Sequence, residues 1–156
     1  MIDTIAARLE RLGHRLPEVS GPAANYVPVT RVGALAFISG QVAPFAPGDE
    51  PGARLGAELS VEAGQKAAAA AALSLLAQID QLVAGNPAGV RRVARLGVFV
   101  AATLEFNQHS LVGNGASDLV VAVLGEAGRH ARTAVGVASL PRGAAVEVEA
   151  ILELAE

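Results

Sequence analysis

An alanine-rich stretch at residues 61–85 constrains the fold of this chain more than any other segment. It reads VEAGQKAAAAAALSLLAQIDQLVAG, and leucine and isoleucine recur in its second half at the spacing of one helix face. Ser60 just before it is a typical helix N-cap, and Gly85 is a typical helix end. The pattern predicts one long helix. Because most of its side chains are small, this helix can pack closely on a β-sheet.

Runs rich in β-branched residues on both sides of this helix predict five strands. YVPVTRVGALAFISGQVA, at residues 26–43, predicts a hairpin with Gly33 in its turn. VRRVARLGVFVAAT, at residues 90–103, has the composition of a central strand. TAVGVASL and AVEVEAILEL, at residues 133–140 and 145–154, are separated by a Pro-Arg-Gly link and predict a second hairpin.

Two further helices complete the predicted order of elements. Residues 2–13 carry apolar side chains at helical spacing and end in a glycine; these side chains are Ile2, Ile5, Leu9 and Leu12. NGASDLVVAVLGEAG, at residues 114–128, predicts a helix that begins in a Gly-Asn-Gly turn and ends at Gly125 or Gly128. Residues 44–60 predict an exposed loop, because proline, glycine and charge are concentrated there. This order indicates an α+β domain spanning residues 1–156, with two long helices on one face of a sheet.

Composition restricts the chemistry that the chain can carry out. There is no cysteine, and His14, His109 and His130 lack the spacing of metal ligands. We therefore expect neither a metal nor an organic cofactor. Hydrophobic residues make up 52% of the chain but aromatic residues only 3%, so we expect a core of alanine, valine and leucine.

Hydropathy and charge argue against a membrane or a nucleic-acid partner. The N-terminal sequence MIDTIAARLERLGHRL lacks the apolar core of a secretory signal, and we predict a cytoplasmic protein. A net charge of -3 is unlike that of a general nucleic-acid binder. The cluster Arg91, Arg92 and Arg95 could indicate RNA binding, but no aromatic stacking residues accompany it, and we interpret it as a solvated edge.

The strand predicted at residues 133–140 is apolar on both faces. Val135 and Val137 alternate with Ala134, Gly136 and Ala138. Because helices cover only one face of the predicted sheet, we expect another copy of the chain to cover the second face.

Three segments together resemble the YjgF/YER057c/UK114 family, also called the Rid family of reactive-intermediate deaminases. They are NYVPVTRVGALAFISGQ (25–41), NGASDLVVAVLGEAGRHAR (114–132) and TAVGVASLPRGAAVEVEAI (133–151). The resemblance implies a chorismate-mutase-like α+β fold with a mixed sheet, and a homotrimer with clefts between subunits. It also implies hydrolysis of enamines or imines to 2-oxo acids and ammonia. The longer N-terminus and the segments NGASD and GEAGRHAR are similar to the longer branch of the family.

The resemblance also implies roles for particular residues. Arg132 matches the arginine that pairs with the substrate carboxylate, and Glu147 matches the acid that positions or activates the attacking water. Three further matches are substrate-binding residues: Tyr26 as an aromatic lining the cleft, Gly40 as a backbone donor, and Asn114 as a polar residue at the head of the second long helix. Ala134 departs from the compact branch, which often has cysteine at this position.

Each of these residues also has a structural interpretation. Arg132 could cap a carbonyl at a strand end, and Glu147 with Glu149 could mark a solvated strand face. Tyr26 could be a packing residue, and Asn114 a turn or N-cap residue. In the predicted C-terminal hairpin Arg132 lies at the start of one strand and Glu147 one strand away. Two functions other than an imine deaminase stay open, namely a non-catalytic protein that binds a small carboxylate and an endoribonuclease.

Overall fold

Three α-helices and five strands make up the described part of the chain. The computed structural model describes residues 3–19, 21, 24–43, 45 and 47–156. The helices are α1 (Ile5–Arg11), α2 (Val61–Leu82) and α3 (His109–Leu124). The strands are β1 (Val29–Val32), β2 (Leu35–Val42), β3 (Val90–Ala101), β4 (Ala131–Val137) and β5 (Val146–Leu154).

All five strands form one sheet in the order β1-β2-β5-β3-β4. Neighbouring strands are antiparallel except β3 and β4, which run parallel and are joined through α3. A parallel pair requires such a crossover, because the chain must return to the end of the sheet where it started. The sheet is therefore mixed, as the chorismate-mutase-like fold requires.

The predicted C-terminal hairpin is wrong. β3 lies between β4 and β5, so the Pro-Arg-Gly link passes the end of β3 and does not join neighbouring strands. At this end Ala101 of β3 bonds to Ala145 on one side, and Ala102 bonds to Val137 on the other. β5 has β2 on one edge and β3 on the other, and its buried residues alternate because helices cover only one of its faces.

The two long helices pack on one face of the sheet, as predicted. Every second residue of β5 is buried beneath them: Val146, Val148, Ala150, Leu152 and Leu154. Ser60 caps α2, because its hydroxyl accepts a hydrogen bond from the Ala63 amide at 3.2 Å. The short helix α1 closes the core with Ile5 and Leu9, which are fully buried. Ile2, also predicted in this helix, lies outside the described residues.

The predicted start of α3 is wrong. The helix begins at His109, so the Gly-Asn-Gly sequence lies inside it and Asn114 is neither a turn residue nor an N-cap. Glycine in a helix interior costs roughly 1 kcal/mol relative to alanine, so the two glycines need another reason. A Cβ atom on Gly115 would overlap the backbone carbonyl of Gln65 in α2, and one on Gly113 would meet the Arg132 guanidinium at 3.2 Å. Both glycines permit close packing.

The remaining local predictions hold in part. The first hairpin is confirmed, with Gly33 between β1 and β2 at a positive φ of 60°. The segment at residues 44–60 is not uniformly exposed, because Leu55 is fully buried and bridges to Ala102. Pro44 and Ala46 of this segment lie outside the described residues. None of the helices in the described ranges has the length and apolar character needed to span a bilayer.

The sheet face opposite α2 and α3 carries no helix in the described part of the chain, and we call it the open face. Strand register places the following residues on it: Leu35, Phe37, Phe99, Val135, Glu147, Glu149, Ile151 and Glu153. Leu35, Phe37 and Val135 are each 37–40% exposed. Apolar and acidic side chains therefore share this surface.

Candidate functional site

Arg132 lies on β4 with its side chain on the helix side of the sheet. Its register partner on β3 is Leu96, which is fully buried beneath the helices. Three groups on α3 accept hydrogen bonds from the guanidinium. Nη1 donates to Asn114 Oδ1 at 3.0 Å and to Ser117 Oγ at 3.0 Å, and Nη2 donates to the Ser110 carbonyl at 3.1 Å. The α3 helix therefore fixes the orientation of this cation.

The guanidinium keeps donors for a ligand. An arginine side chain has five N–H donors, and among the described residues three of them have acceptors. The two remaining donors fit the paired oxygens of a carboxylate, and such charge-assisted bonds are about twice as strong as neutral ones. Arg132 is thus a partly buried cation that is oriented by neutral groups and is not neutralised by an acid in its own described surroundings.

A short hydrogen-bond chain continues behind Arg132. His130 Nδ1 lies 2.6 Å from the Gly128 carbonyl, which only accepts, so this nitrogen carries a proton. Ser117 Oγ accepts from Arg132 and lies 2.9 Å from His130 Nε2. A continuous hydrogen-bond chain thus runs from Arg132 through Ser117 and His130 to the Gly128 carbonyl.

Glu147 lies on β5 on the open face, against β2. Its carboxylate occupies the space that a Cβ atom on Gly40 would need, so these two predicted site residues are in contact. Gly40 lies at the point where the register between β2 and β5 shifts, between Ile38 and Gln41. Burial raises the pKa of Glu147 above its ordinary value, and the negative charge of Glu149 raises it further. Glu147 therefore holds its proton more tightly than a free glutamate.

Glu149, two residues further along β5, leans the other way, towards β3. Its side chain lies where a Cβ atom on Gly97 would be, with distances of 2.8–3.2 Å to the nearest side-chain atoms. A second glycine thus makes room for a second acid on the same face. Glu147 and Glu149 are both partly exposed, so the structural interpretation of a solvated strand face stays open.

Arg132 and Glu147 cannot act on one small substrate within a single chain. Their side chains lie on opposite faces of the sheet, and β3 separates their strands. The prediction that Glu147 lies one strand away from Arg132 is wrong, because it depended on the C-terminal hairpin. Tyr26 is also distant from Arg132 in the chain's own sheet, since it precedes β1 at one edge and Arg132 is on β4 at the other. Tyr26 is 48% exposed.

Sequence reasoning singled out Asn114 but missed the other two residues that hold Arg132, Ser110 and Ser117. The three acceptors lie at intervals of four and three residues and form a polar stripe on one face of α3. The signal was present in the sequence, but the stripe is recognisable only if the helix begins before residue 110. Gly97 was missed as well, because a glycine in a strand does not reveal which neighbour fills its space.

A sizeable cavity among the described residues lies elsewhere. It has a volume of about 590 Å³ and lies between α2, the segment after β2 and the start of β5. Alanines form much of its wall, together with Lys66 and Glu58, and neither Arg132 nor Glu147 lines it. Volume alone therefore does not locate the site, and we assign the site from the oriented charges.

Metal ligation and phosphate binding find little support in the described ranges. No three His, Asp or Glu side chains there lie close enough together to hold a metal ion.

The basic cluster of Arg91, Arg92 and Arg95 is the surface that could contact the phosphates of RNA. Arg91 and Arg92 both contact the Glu153 carboxylate, at 3.4 and 3.3 Å. Arg95 Nη2 lies 3.4 Å from Thr133 Oγ1. This basic cluster is thus partly neutralised by an acid of the same chain.

The mixed sheet with its two covering helices and the oriented arginine define the class of protein. The chain belongs to the YjgF/chorismate mutase-like, putative endoribonuclease family, whose model matches residues 6–154.

Several relatives match over nearly their full length. Protein TCP17 of Trypanosoma cruzi is 48% identical over 151 residues, which cover 96% of this chain and 94% of that protein. Atu1372, a protein of unknown function from Agrobacterium tumefaciens, is 45% identical with a TM-score of 0.86, covering 98% of this chain and 95% of that one. A putative endoribonuclease from Shewanella oneidensis is 32% identical with a TM-score of 0.88, covering 97% and 99%.

Proposed function

We propose that the protein is an imine and enamine deaminase, which hydrolyses reactive 2-imino acids to 2-oxo acids and ammonia. One observation carries the proposal: Arg132 is held by three acceptors of α3 and keeps two donors for a carboxylate. The family resemblance of the segment around Arg132 and Glu147 supports the same activity. A small substrate with a carboxylate is therefore the expected ligand, and the reaction needs no cofactor.

We further propose that the active cleft forms between subunits of a homotrimer. Because Arg132 and Glu147 lie on opposite faces of one sheet, a substrate that contacts both must lie between Arg132 of one chain and Glu147 of a neighbouring chain. The exposed apolar side chains of the open face support such an assembly, since a second chain would remove them from water. Gly40 and Tyr26 would line the same cleft.

The proposed hydrolysis needs one carboxylate that first accepts a proton from water and then donates it to the nitrogen of the substrate. Glu147 takes a proton from water while the water oxygen forms a bond to the imine carbon and the C=N π electrons move to nitrogen. Glu147 then returns this proton to the nitrogen. The C–N bond breaks as the hydroxyl oxygen forms the carbonyl, and the hydroxyl proton passes to the nitrogen, which leaves as ammonia. A carboxyl with a raised pKa suits both steps, because it accepts and releases a proton closer to neutral pH.

A coupled assay tests the proposal. An amino-acid dehydratase that releases 2-aminoacrylate or 2-iminobutyrate is mixed with the protein, and the appearance of the 2-oxo acid is timed against the uncatalysed hydrolysis. We expect acceleration by the parent protein and none by Arg132→Ala. If the parent binds 2-oxo acids but accelerates no imine hydrolysis, the non-catalytic carboxylate-binding function replaces the enzyme.

An endoribonuclease is the second candidate, because relatives such as the Shewanella oneidensis protein carry that description. The charge distribution favours it less. Arg91 and Arg92 share Glu153, so their charge is already partly engaged, and the net charge of the chain is -3. Cleavage of a labelled RNA that is abolished by Arg92→Ala but unaffected by Arg132→Ala would favour this candidate over the deaminase.

A further inference from the structure

β5 presents two acids on the open face with a single residue between them. Glu147 and Glu149 alternate with core residues, so both side chains emerge on the same side of the same strand. The neighbours make room for them: Gly40 of β2 admits the Glu147 carboxylate, and Gly97 of β3 admits Glu149. Two glycines on two different strands thus hold two acids in defined positions.

The groups that face Glu147 include no cation in the described part of its own chain. Its partners across the strands are Val42 on β2 and Phe99 on β3, neither of which titrates. The nearest arginine along β3 on this face is Arg95, whose Nη2 lies 3.4 Å from Thr133 on β4. Further along β5, Glu153 is engaged by Arg91 and Arg92. Glu149 therefore places a negative charge near Glu147, and no cation that faces Glu147 in the described part of its own chain offsets this charge.

We propose that Glu149 is a positioning residue that acts through Glu147: its negative charge on the same face of β5 makes the Glu147 carboxylate a stronger base, so that this group takes a proton from the attacking water more readily. The inference rests on the proposed deaminase function. It assigns a role to the second acid, which the proposed contacts of Arg132 and Glu147 with the substrate leave unexplained. Glu149 itself does not contact the reacting atoms in this account.

The direction of the effect follows from electrostatics. A like charge nearby disfavours ionisation, so Glu149 raises the pKa of Glu147 in addition to the effect of burial. Replacing Glu149 by glutamine removes the charge and keeps the shape that fits against Gly97. Glu147 then ionises at lower pH, and as a weaker base it takes a proton from water less readily.

The test compares Glu149→Gln with Glu149→Asp and Glu153→Gln in the full-length protein. We expect the acid limb of the profile of kcat/KM against pH to move to lower pH in Glu149→Gln. Turnover near pH 7 should fall on the order of tenfold or less, which is smaller than the ~10²–10⁴-fold effect of removing a general acid–base group. Glu149→Asp keeps the charge and should restore the parent profile. Glu153→Gln removes a more distant acid of the same strand and should leave it unchanged.

A second readout does not depend on activity. The carboxyl carbon of Glu147 is assigned by NMR in labelled protein and titrated in the parent and in the three variants. A lower titration midpoint for Glu147 in Glu149→Gln alone supports the inference, and an unmoved midpoint overturns it. If the parent hydrolyses no imine, the proposed function fails. If hydrolysis is intact while the midpoint and the acid limb stay in place, only the role of Glu149 is overturned.

Discussion

The Glu147 carboxylate occupies the space in which any residue other than glycine at position 40 would carry its Cβ atom. Gly40→Ala should therefore displace this acid without changing its chemistry. Because the displaced carboxylate no longer holds water correctly, we expect kcat to fall by about 10²-fold, as for a misplacement of about 1 Å, while the Kd for a 2-oxo acid changes little.

The matched control for this change is Gly21→Ala, since no atom of the described residues lies within 4 Å of a Cβ atom on Gly21. Steady-state kinetics and calorimetry on both variants check the prediction. Full activity in Gly40→Ala, with the fold intact by circular dichroism, would show that the position of Glu147 does not matter for the reaction.

Arg132→Lys keeps the positive charge but loses the planar set of donors that α3 orients. A hydrogen bond to a charged group contributes roughly 1.5–3 kcal/mol, so we expect the Kd for 2-oxo acids to rise by about 10- to 100-fold. The control is Arg129→Lys, which alters an exposed arginine paired with Glu126 in the turn before β4. Calorimetry that gives equal affinities for Arg132→Lys, Arg132→Ala and the parent would make this arginine a structural residue.

Asn114 and Ser117 should affect binding through Arg132. Ser117→Ala removes one acceptor from Nη1 and leaves Asn114 Oδ1 in place, so the guanidinium is oriented less firmly. We expect a rise in Kd of about 3- to 10-fold for the single change, equivalent to about 1 kcal/mol, and a larger rise for Asn114→Ala with Ser117→Ala. Asp118→Asn, an exposed position on the same helix, should leave the Kd unchanged.

Glu147→Gln should raise thermal stability at neutral pH. The folded-state pKa of Glu147 lies above its ordinary value of 4.5, so its contribution to stability is fully present below that value. This contribution is lost as the pH rises through the raised folded-state pKa. The glutamine carries no charge to desolvate, so the variant should have the higher Tm at pH 7, and the difference should shrink below pH 4.5. Scanning calorimetry at both pH values checks the sign, and a lower Tm for the variant at pH 7 would contradict it.

The proposed homotrimer makes a prediction about the open face. Phe37 is 37% exposed there, and Phe37→Glu would place a charge in the subunit interface. We expect light scattering to give a trimer for the parent at micromolar concentration and a smaller species for this variant. Leu12→Glu, at a comparably exposed position at the end of α1, should remain trimeric. A monomeric parent would remove the proposed cleft.

Local signals predicted the parts of the fold that local contacts determine. The cap at Ser60 and the turn at Gly33 were recognisable because the residues that form them are neighbours in sequence. The position of β5 was not recognisable, because insertion between β2 and β3 depends on contacts with residues more than 40 positions away. The same limit applied to the site. Arg132 and Glu147 were found through the family resemblance, but the faces on which they lie depend on strand order.

Glycines inside helices and strands were harder to interpret from the sequence than the glycine of the first turn. Gly113 and Gly115 suggested a turn, and they lie inside α3 because Arg132 and the α2 backbone approach there. Gly40 and Gly97 lie in strands because an acid of β5 fills the space beside each. In each case the reason is a neighbour distant in the sequence, which a single chain does not reveal.

The central position of β5 has a consequence for biosynthesis. During synthesis β5 leaves the ribosome after β1 to β4. Until then the sheet consists of two separate pairs of strands, β1-β2 and β3-β4, and the edges of β2 and β3 that will later contact β5 are unpaired. Such edges are prone to associate with other nascent chains until the strand that joins them arrives. The nascent polypeptide therefore completes this sheet only after β5 has left the ribosome, and until then its unpaired edges call for protection by a chaperone.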